Sequence, residues 1–358
     1  MKASAEASRD RFPLVVYTDG QRPDLSMVEG PVRFAEVRDL PSALGGAEAL
    51  LVWGFETTGV VAQAVSRYGR SLRWVHVNSV GVEHVLSGAL SGRDLVVTNA
   101  GGVMDDAVAE FALALILAMA KKIPTVVSNQ GRHEWRHQVT ETIIGRKALV
   151  VGAGAIGSAV GRLLAGVGMA PDAVASVNRS SQGTAFGTIY GAADLPELVG
   201  GYDYVILTLP LTPQTLQMVD ARILSRMRRT ARLVNLGRGQ LVDEDALVSA
   251  LERGDIAGAA LDVFREEPLP NDHPLWSMDQ VVISPHMAGD YAGWQSVQRD
   301  LFVENYRRYA EGGRLLNVVD QATGYVPATA ERYQRPLQNT RPSRQSLAGC
   351  RSERSGDS

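Results

Sequence analysis

The chain has 358 residues, 45% of them hydrophobic, which is long for one domain and enough to bury two cores. A net charge of −3 and a pI near 6.1 argue against a nucleic-acid or membrane-surface partner. Cys350 is the only cysteine, which excludes an intramolecular disulfide; with no apolar core in MKASAEASRDRF to act as a secretory signal, a cytoplasmic protein is expected.

Residues 1 to 11 are polar and are expected to be unstructured. From Leu14 onward short apolar runs alternate with helix-like stretches. The strand candidates are LVVY (14–17), ALLVWG (49–54), RWVHV (73–77) and DLVVT (94–98). That alternation predicts parallel strands with helical crossovers, an α/β architecture. The run FALALILAMA (111–120) is too short to span a bilayer. It reads instead as part of a buried helix over 104–122, with Asp105 and Asp106 at the positive end of its dipole and Lys121 and Lys122 at the negative end.

A second α/β series follows: KALVVGAG, DAVASVN, DYVILTLP, ARLVNLG, GAALDVF and VVISPH. Its first turn, VGAGAIG, is a G-x-G-x-x-G that follows an apolar strand and opens a helix, the context that makes it a dinucleotide fingerprint. Gly152 permits the tight turn, Gly154 lets backbone approach a pyrophosphate, and Gly157 allows helix to pack on strand. An NAD site places Asp or Glu at the end of the next strand, to bind the ribose hydroxyls. This chain has Val177-Asn178-Arg179-Ser180-Ser181 there and no carboxylate. Arg179 can pair with a 2′-phosphate and Ser180 or Ser181 can donate to it, so the residues favour NADP(H), with NAD(H) as the alternative if Arg179 only stacks on adenine. No metal site is expected. The last helix is predicted at about 291–311, and the polar segment 326–358 is expected to be a disordered tail.

Three later residues complete the pattern. Arg238 stands in VNLGRGQ, Glu267 directly before Pro268, and His286 in SPHMAG. A guanidinium, a carboxylate and an imidazole are the minimal side-chain kit for reducing a 2-oxo acid: one holds the substrate carboxylate, one tunes the imidazole, and the imidazole supplies the proton while the cofactor supplies hydride. Glu266 competes with Glu267 for the middle role, and only the Pro268 register separates them.

Through NAGGVMDDAVAEFALALILAMAKKIP, VGAGAIG, LPLTPQT, VNLGRGQLVDEDAL, ALDVFREEP and SPHMAG, the chain resembles the D-isomer-specific 2-hydroxyacid dehydrogenases over about residues 12 to 325. The resemblance implies two lobes. One is a Rossmann-type NAD(P)-binding domain at 103–288; the other is a discontinuous, flavodoxin-like substrate domain made of 1–102 and 289–325. Two helices would bridge them, and a homodimer is implied.

By resemblance, Arg238, Glu267 and His286 are catalytic, with Glu267 raising the His286 pKa. Val80 and Gly81 in NSVGVEH match the loop whose amides hold the substrate carboxylate. Ala155 and Ile156 match the phosphate-binding turn, and Pro210 and Thr212 match the loop along the cofactor. Leu236, Asp262 and Val108 match neighbours of the nicotinamide, Asp262 as acceptor from its carboxamide. Val108 reads equally well as core. The segment GMAPDAVASVN is longer than the family spacing, which leaves the Asn178 register open by a residue. After His286, the residues Asp290, Tyr291 and Trp294 depart from the pattern and could shape the substrate pocket, as could Trp53 and the Gly54-Phe55-Glu56 loop. The function expected is NAD(P)H-dependent interconversion of a 2-oxo acid and a D-2-hydroxy acid. A dinucleotide-sensing corepressor is the alternative from another class. Formate dehydrogenase is disfavoured by Glu267, where that chemistry uses Gln.

Overall fold

The computed structural model describes residues 12–54, 59–82, 85–86, 93–327 and 329–334. A first sheet holds β1 (Leu14–Tyr17), β2 (Val32–Ala35), β3 (Ala49–Val52), β4 (Trp74–Val77) and β5 (Val96–Asn99), all parallel, in the order β2-β1-β3-β4-β5. This is the flavodoxin-like order. Side chains alternate along β1: Val15 and Tyr17 join one buried cluster, Leu14 and Val16 the opposite one. Both faces are covered, which is why these strands read as unbroken apolar runs. β2 was not anticipated. Its sequence VRFA carries Arg33, whose guanidinium donates to the Ala43 carbonyl at 3.1 Å, and an edge strand with a half-exposed face lacks the apolar signal.

The second sheet contains β6 (Lys147–Val151), β7 (Ala170–Ala175), β8 (Ile189–Gly191), β9 (Tyr204–Leu207), β10 (Arg232–Asn235), β11 (Gly258–Leu261) and β12 (Val281–Ile283). Its order, β12-β11-β10-β9-β6-β7-β8, is doubly wound, with the reversal between β6 and β9. Leu149 and Val151 feed the core on one face, Ala148 and Val150 that on the other. β7 starts earlier than DAVASVN suggested and includes Pro171. A proline is tolerated there because the β8 ladder starts only at Ala173; ahead of it Pro171 is asked for a carbonyl alone, which accepts from Gly187 N–H at 3.0 Å. The strand ends at Ala175, so Asn178 to Ser180 belong to the connection beyond it.

The Asp105–Ala120 helix lies against the Ala155–Gly166 helix and buries Val108, Ala112, Leu115 and Ile116. Among the described residues no single helix is long and apolar enough to cross a membrane. The final helix, Trp294–Ala310, returns to the first sheet, where Phe302 stacks on the buried Trp74 with ring centroids 5.4 Å apart. Beyond it the expected disordered tail needs correction. Asn317 N–H donates to the Glu331 carbonyl at 2.8 Å, and Tyr333 N–H to Asn317 Oδ1 at 3.0 Å. Backbone hydrogen bonds and one aromatic ring hold this turn, and neither leaves an apolar period in the sequence. Residues 1–11, 55–58 and 335–358 lie outside the described residues, and with them Phe55, Glu56 and the rest of the expected tail.

Candidate active site

Every candidate residue of the second sheet lies at or beyond the carboxyl end of a strand, where parallel sheets bind ligands, apart from Val108 on the Asp105–Ala120 helix. β6 runs into the glycine turn. Gly152 has φ +119°, and a Cβ there would lie 2.7 Å from Thr208 Oγ1; at Gly157 it would lie 1.7 Å from the Gly152 carbonyl oxygen. Gly154 differs: its Cβ would meet nothing within 4 Å. Two glycines are therefore demanded by internal packing, and the third leaves backbone open to a ligand. Ala155 and Ile156, both half-buried, open the helix whose first-turn N–H groups form an anion site. The turn fits a pyrophosphate.

Arg179 lies beside this turn, its guanidinium donating to the Ala153 carbonyl at 2.5 Å. Asn178 packs against Gly191 at the end of β8. Ser180 Oγ accepts from the Gln182 N–H at 3.2 Å, which leaves its hydroxyl proton for another acceptor. Pro210 and Thr212 form a tight turn after β9, in which the Thr215 hydroxyl donates to the Pro210 carbonyl at 2.9 Å and accepts from the Thr212 N–H at 2.8 Å. Leu236 and Val108 lie together in the buried cluster that also holds Ala153 and Ala288.

Arg238, Glu267 and His286 come from three successive strand ends. Asn235, buried at the end of β10, shapes the first: its Nδ2 donates to the Arg238 carbonyl at 2.9 Å and its Oδ1 accepts from Gly237 N–H at 3.1 Å. Gly239 must be bare, because a Cβ would sit 1.8 Å from the Phe264 carbonyl carbon. That close crossing brings the Arg238 turn against the Phe264–Glu267 segment. The segment is held from below by buried Glu244, which accepts from Arg265 N–H at 2.5 Å.

His286 Nδ1 donates to Glu267 Oε2 at 2.7 Å, and Glu267 Oε1 accepts from Phe264 N–H at 2.9 Å. Glu267, not Glu266, makes the pair. Burial pushes the Glu267 carboxyl up, but the His286 hydrogen bond, the Phe264 N–H and the charges of His286 and Arg238 together bring it below its ordinary value. With Nδ1 engaged, Nε2 is the ring nitrogen left to face a substrate, and the His286 side chain is 47% exposed. His286 has φ +51°, a left-handed conformation that is uncommon outside glycine. The Asp262 carbonyl accepts from His286 N–H at 2.8 Å, and its buried carboxylate takes Ser284 Oγ–H at 2.6 Å, Met287 N–H at 3.0 Å and Ala288 N–H at 2.9 Å. The residue read as a carboxamide acceptor thus anchors the histidine loop with three of its four acceptor positions.

Val80 and Gly81 follow β4 in the first sheet. The Val80 carbonyl accepts from Asn99 Nδ2 at 2.7 Å and the Gly81 carbonyl from Ser79 Oγ at 2.6 Å. The final helix is tied to this loop by Gln298 Nε2, which donates to Asn78 O at 3.1 Å, and the Tyr291 hydroxyl ahead of that helix donates to Val103 O at 3.3 Å. Asp290, four residues after His286, has its carboxyl raised by burial, an effect that His286 opposes and Asp262 reinforces. Sequence reasoning missed Thr208, whose hydroxyl donates to the Gly152 carbonyl at 3.0 Å, and also Asn235, Glu244 and Asn99. Thr208, Glu244 and Asn99 act on backbone distant in sequence, which no local pattern reveals; Asn235 acts two and three residues ahead, within the VNLGRGQ segment itself.

A glycine-rich turn at the switch point of a doubly wound sheet, with an imidazole–carboxylate pair and an arginine beside it, defines a nicotinamide-dinucleotide oxidoreductase. Residues 113–288 match the family model for the D-isomer specific 2-hydroxyacid dehydrogenase, NAD binding domain. The chain is 35% identical over 256 residues to a glyoxylate reductase of Korarchaeum cryptofilum, covering 70% of this chain and 76% of that one. It is similar to the crystal structure of a D-isomer specific 2-hydroxyacid dehydrogenase from Xanthobacter autotrophicus Py2 in complex with NADPH and MES, with TM-score 0.75, 30% identity, and 88% of this chain and all of that one covered. A NADPH-dependent glyoxylate/hydroxypyruvate reductase from Sinorhizobium meliloti, in complex with NADP and malonate, gives TM-score 0.74 and 27% identity over 89% of this chain and 99% of that one. The protein belongs to the D-isomer-specific 2-hydroxyacid dehydrogenase family and is an NAD(P)-dependent enzyme of that class.

Proposed function

We propose that the protein reduces a small 2-oxo acid to the D-2-hydroxy acid, using NADPH in preference to NADH, with His286 as proton donor. The His286–Glu267 pair beside Arg238 carries this reading. Bound at the glycine turn, the dinucleotide supplies hydride to the carbonyl carbon. The protein does the rest. Arg238 holds the substrate carboxylate and polarises the ketone oxygen, and the Val80 and Gly81 N–H groups bind the carboxylate from the other side. His286 donates from Nε2 to the oxygen as negative charge develops there, and Glu267 keeps Nδ1 protonated and the ring aligned. Gly152, Gly154 and Gly157, with Ala155 and Ile156, hold the pyrophosphate; Pro210, Thr212 and Leu236 line its path. The fourth acceptor position of Asp262 is the one that would take the carboxamide.

Support for NADPH comes from Arg179, Ser180 and Asn178 beside the turn, with no carboxylate among them. The complexes of the two solved relatives, one with NADPH and one with NADP, agree with it. A homodimer is supported by Ile123, Val126, Val127, Trp135, Val139 and Ile144, large apolar side chains all exposed within residues 123–144, with Trp135 fully so. A screen of NADPH and NADH oxidation across 2-oxo acids tests the assignment. Turnover with NADPH preferred is expected, and His286→Ala should lose about 10² to 10⁴ in kcat. Preference for NADH would refute the Arg179 reading, and a wild-type rate in His286→Ala would refute the proton-donor role.

A further inference from the structure

The described C-terminal turn reaches the substrate loop through two buried asparagines. Asn317 is 1% exposed and holds φ +56°. Its N–H and Oδ1 grip the backbone of Glu331 and Tyr333. Its Nδ2 donates to the carbonyls of Asn99 at 3.0 Å and Gly101 at 2.8 Å. Asn99 passes the restraint on: Oδ1 accepts from Gly101 N–H at 3.1 Å and Nδ2 donates to Val80 O at 2.7 Å. The turn itself is fastened at both ends. Arg308 pairs with Glu331 at 2.7 Å, and the Tyr333 ring packs on the cluster of Ala100, Val103, Val297, Leu301 and Leu316. Gly102 is bare beneath it, since a Cβ would lie 2.5 Å from the Tyr333 carbonyl oxygen.

The Val80 carbonyl and the Gly81 N–H belong to one trans peptide unit and point in opposite directions. Fixing the carbonyl on Asn99 therefore aims the Gly81 N–H to the other side. We infer that the Glu331–Tyr333 turn and Asn317 are positioning elements for the substrate: through Asn99 they hold the Val80–Gly81 peptide in the orientation that presents its N–H to a carboxylate. The inference rests on the carboxylate-binding reading of Val80 and Gly81 given above.

The test uses the full chain with Tyr333→Ala and Tyr333→Phe, glyoxylate as probe and NADPH as reductant. Tyr333→Ala should raise the glyoxylate KM about fivefold or more, leave NADPH affinity by fluorescence within about twofold, and speed amide exchange in the peptide covering 78–82. Tyr333→Phe keeps the ring and should match wild type. If Tyr333→Ala fails to fold, Glu331→Ala loosens the turn at Arg308 alone and is read the same way. Unchanged exchange at 78–82, or KM and NADPH affinity weakening together, overturns the inference. A wild-type enzyme inert toward every 2-oxo acid brings down the functional reading instead, and the exchange comparison still decides the coupling.

Discussion

At the residue scale the site depends on how Glu267 is surrounded. Its carboxyl is lowered because His286, the Phe264 N–H and Arg238 together outweigh its burial. A depressed folded-state pKa contributes stability that is present above the ordinary carboxylate value and lost as pH falls through the lower, folded value. Thermal denaturation of wild type and Glu267→Gln should therefore differ most near neutral pH and converge as the pH falls below the ordinary carboxylate range. A gap that persists or widens on acidification would show that the pairing does not stabilise the fold. The catalytic types were legible because each stands in a recognisable segment. Asp262 was legible as a residue and not as a role, because its partners lie 22 to 26 positions away, at Ser284, Met287 and Ala288.

At the element scale the glycine turn is the most constrained feature. Gly157→Ala would drive a methyl group into the Gly152 carbonyl oxygen, so helix and strand must separate or the turn must open. Loss of NADPH binding, read by fluorescence titration, is expected, with the first sheet's fold retained by circular dichroism. Gly154→Ala meets no protein atom and should fold normally, so any effect on NADPH affinity reports contact with the ligand itself. Strands buried on both faces were legible from their apolar runs. β2 and β8 were not, since an edge strand of four or three residues carries little hydrophobic signal. The end of β7 was misjudged because VASVN keeps β-like residues past Ala175, where the chain has already left the sheet.

At the scale of the whole molecule, the homodimer proposed above would cover the exposed apolar side chains over 123–144. Trp135→Glu in combination with Val127→Glu should shift the protein toward monomer in sedimentation or light-scattering measurements. An unchanged size would mean that a second copy does not sit there. The C-terminal helix illustrates why the first sheet cannot be understood from the first hundred residues alone: Phe302 and Tyr306 fill the same buried cluster as Leu14, Leu51 and Trp74.

From its residues alone, the chain determined an α/β architecture, a dinucleotide turn and the three side chains suited to reducing a ketone, because apolar runs, glycine spacing and reactive groups are local features. Only the tertiary structure showed Glu267 bonded to His286 Nδ1, Asp262 anchoring the histidine loop, and residues 329–334 reaching the Val80 loop through Asn317 and Asn99. Those outcomes turn on hydrogen bonds between segments far apart in the chain, and such bonds exist only once both sheets have placed their strand ends side by side.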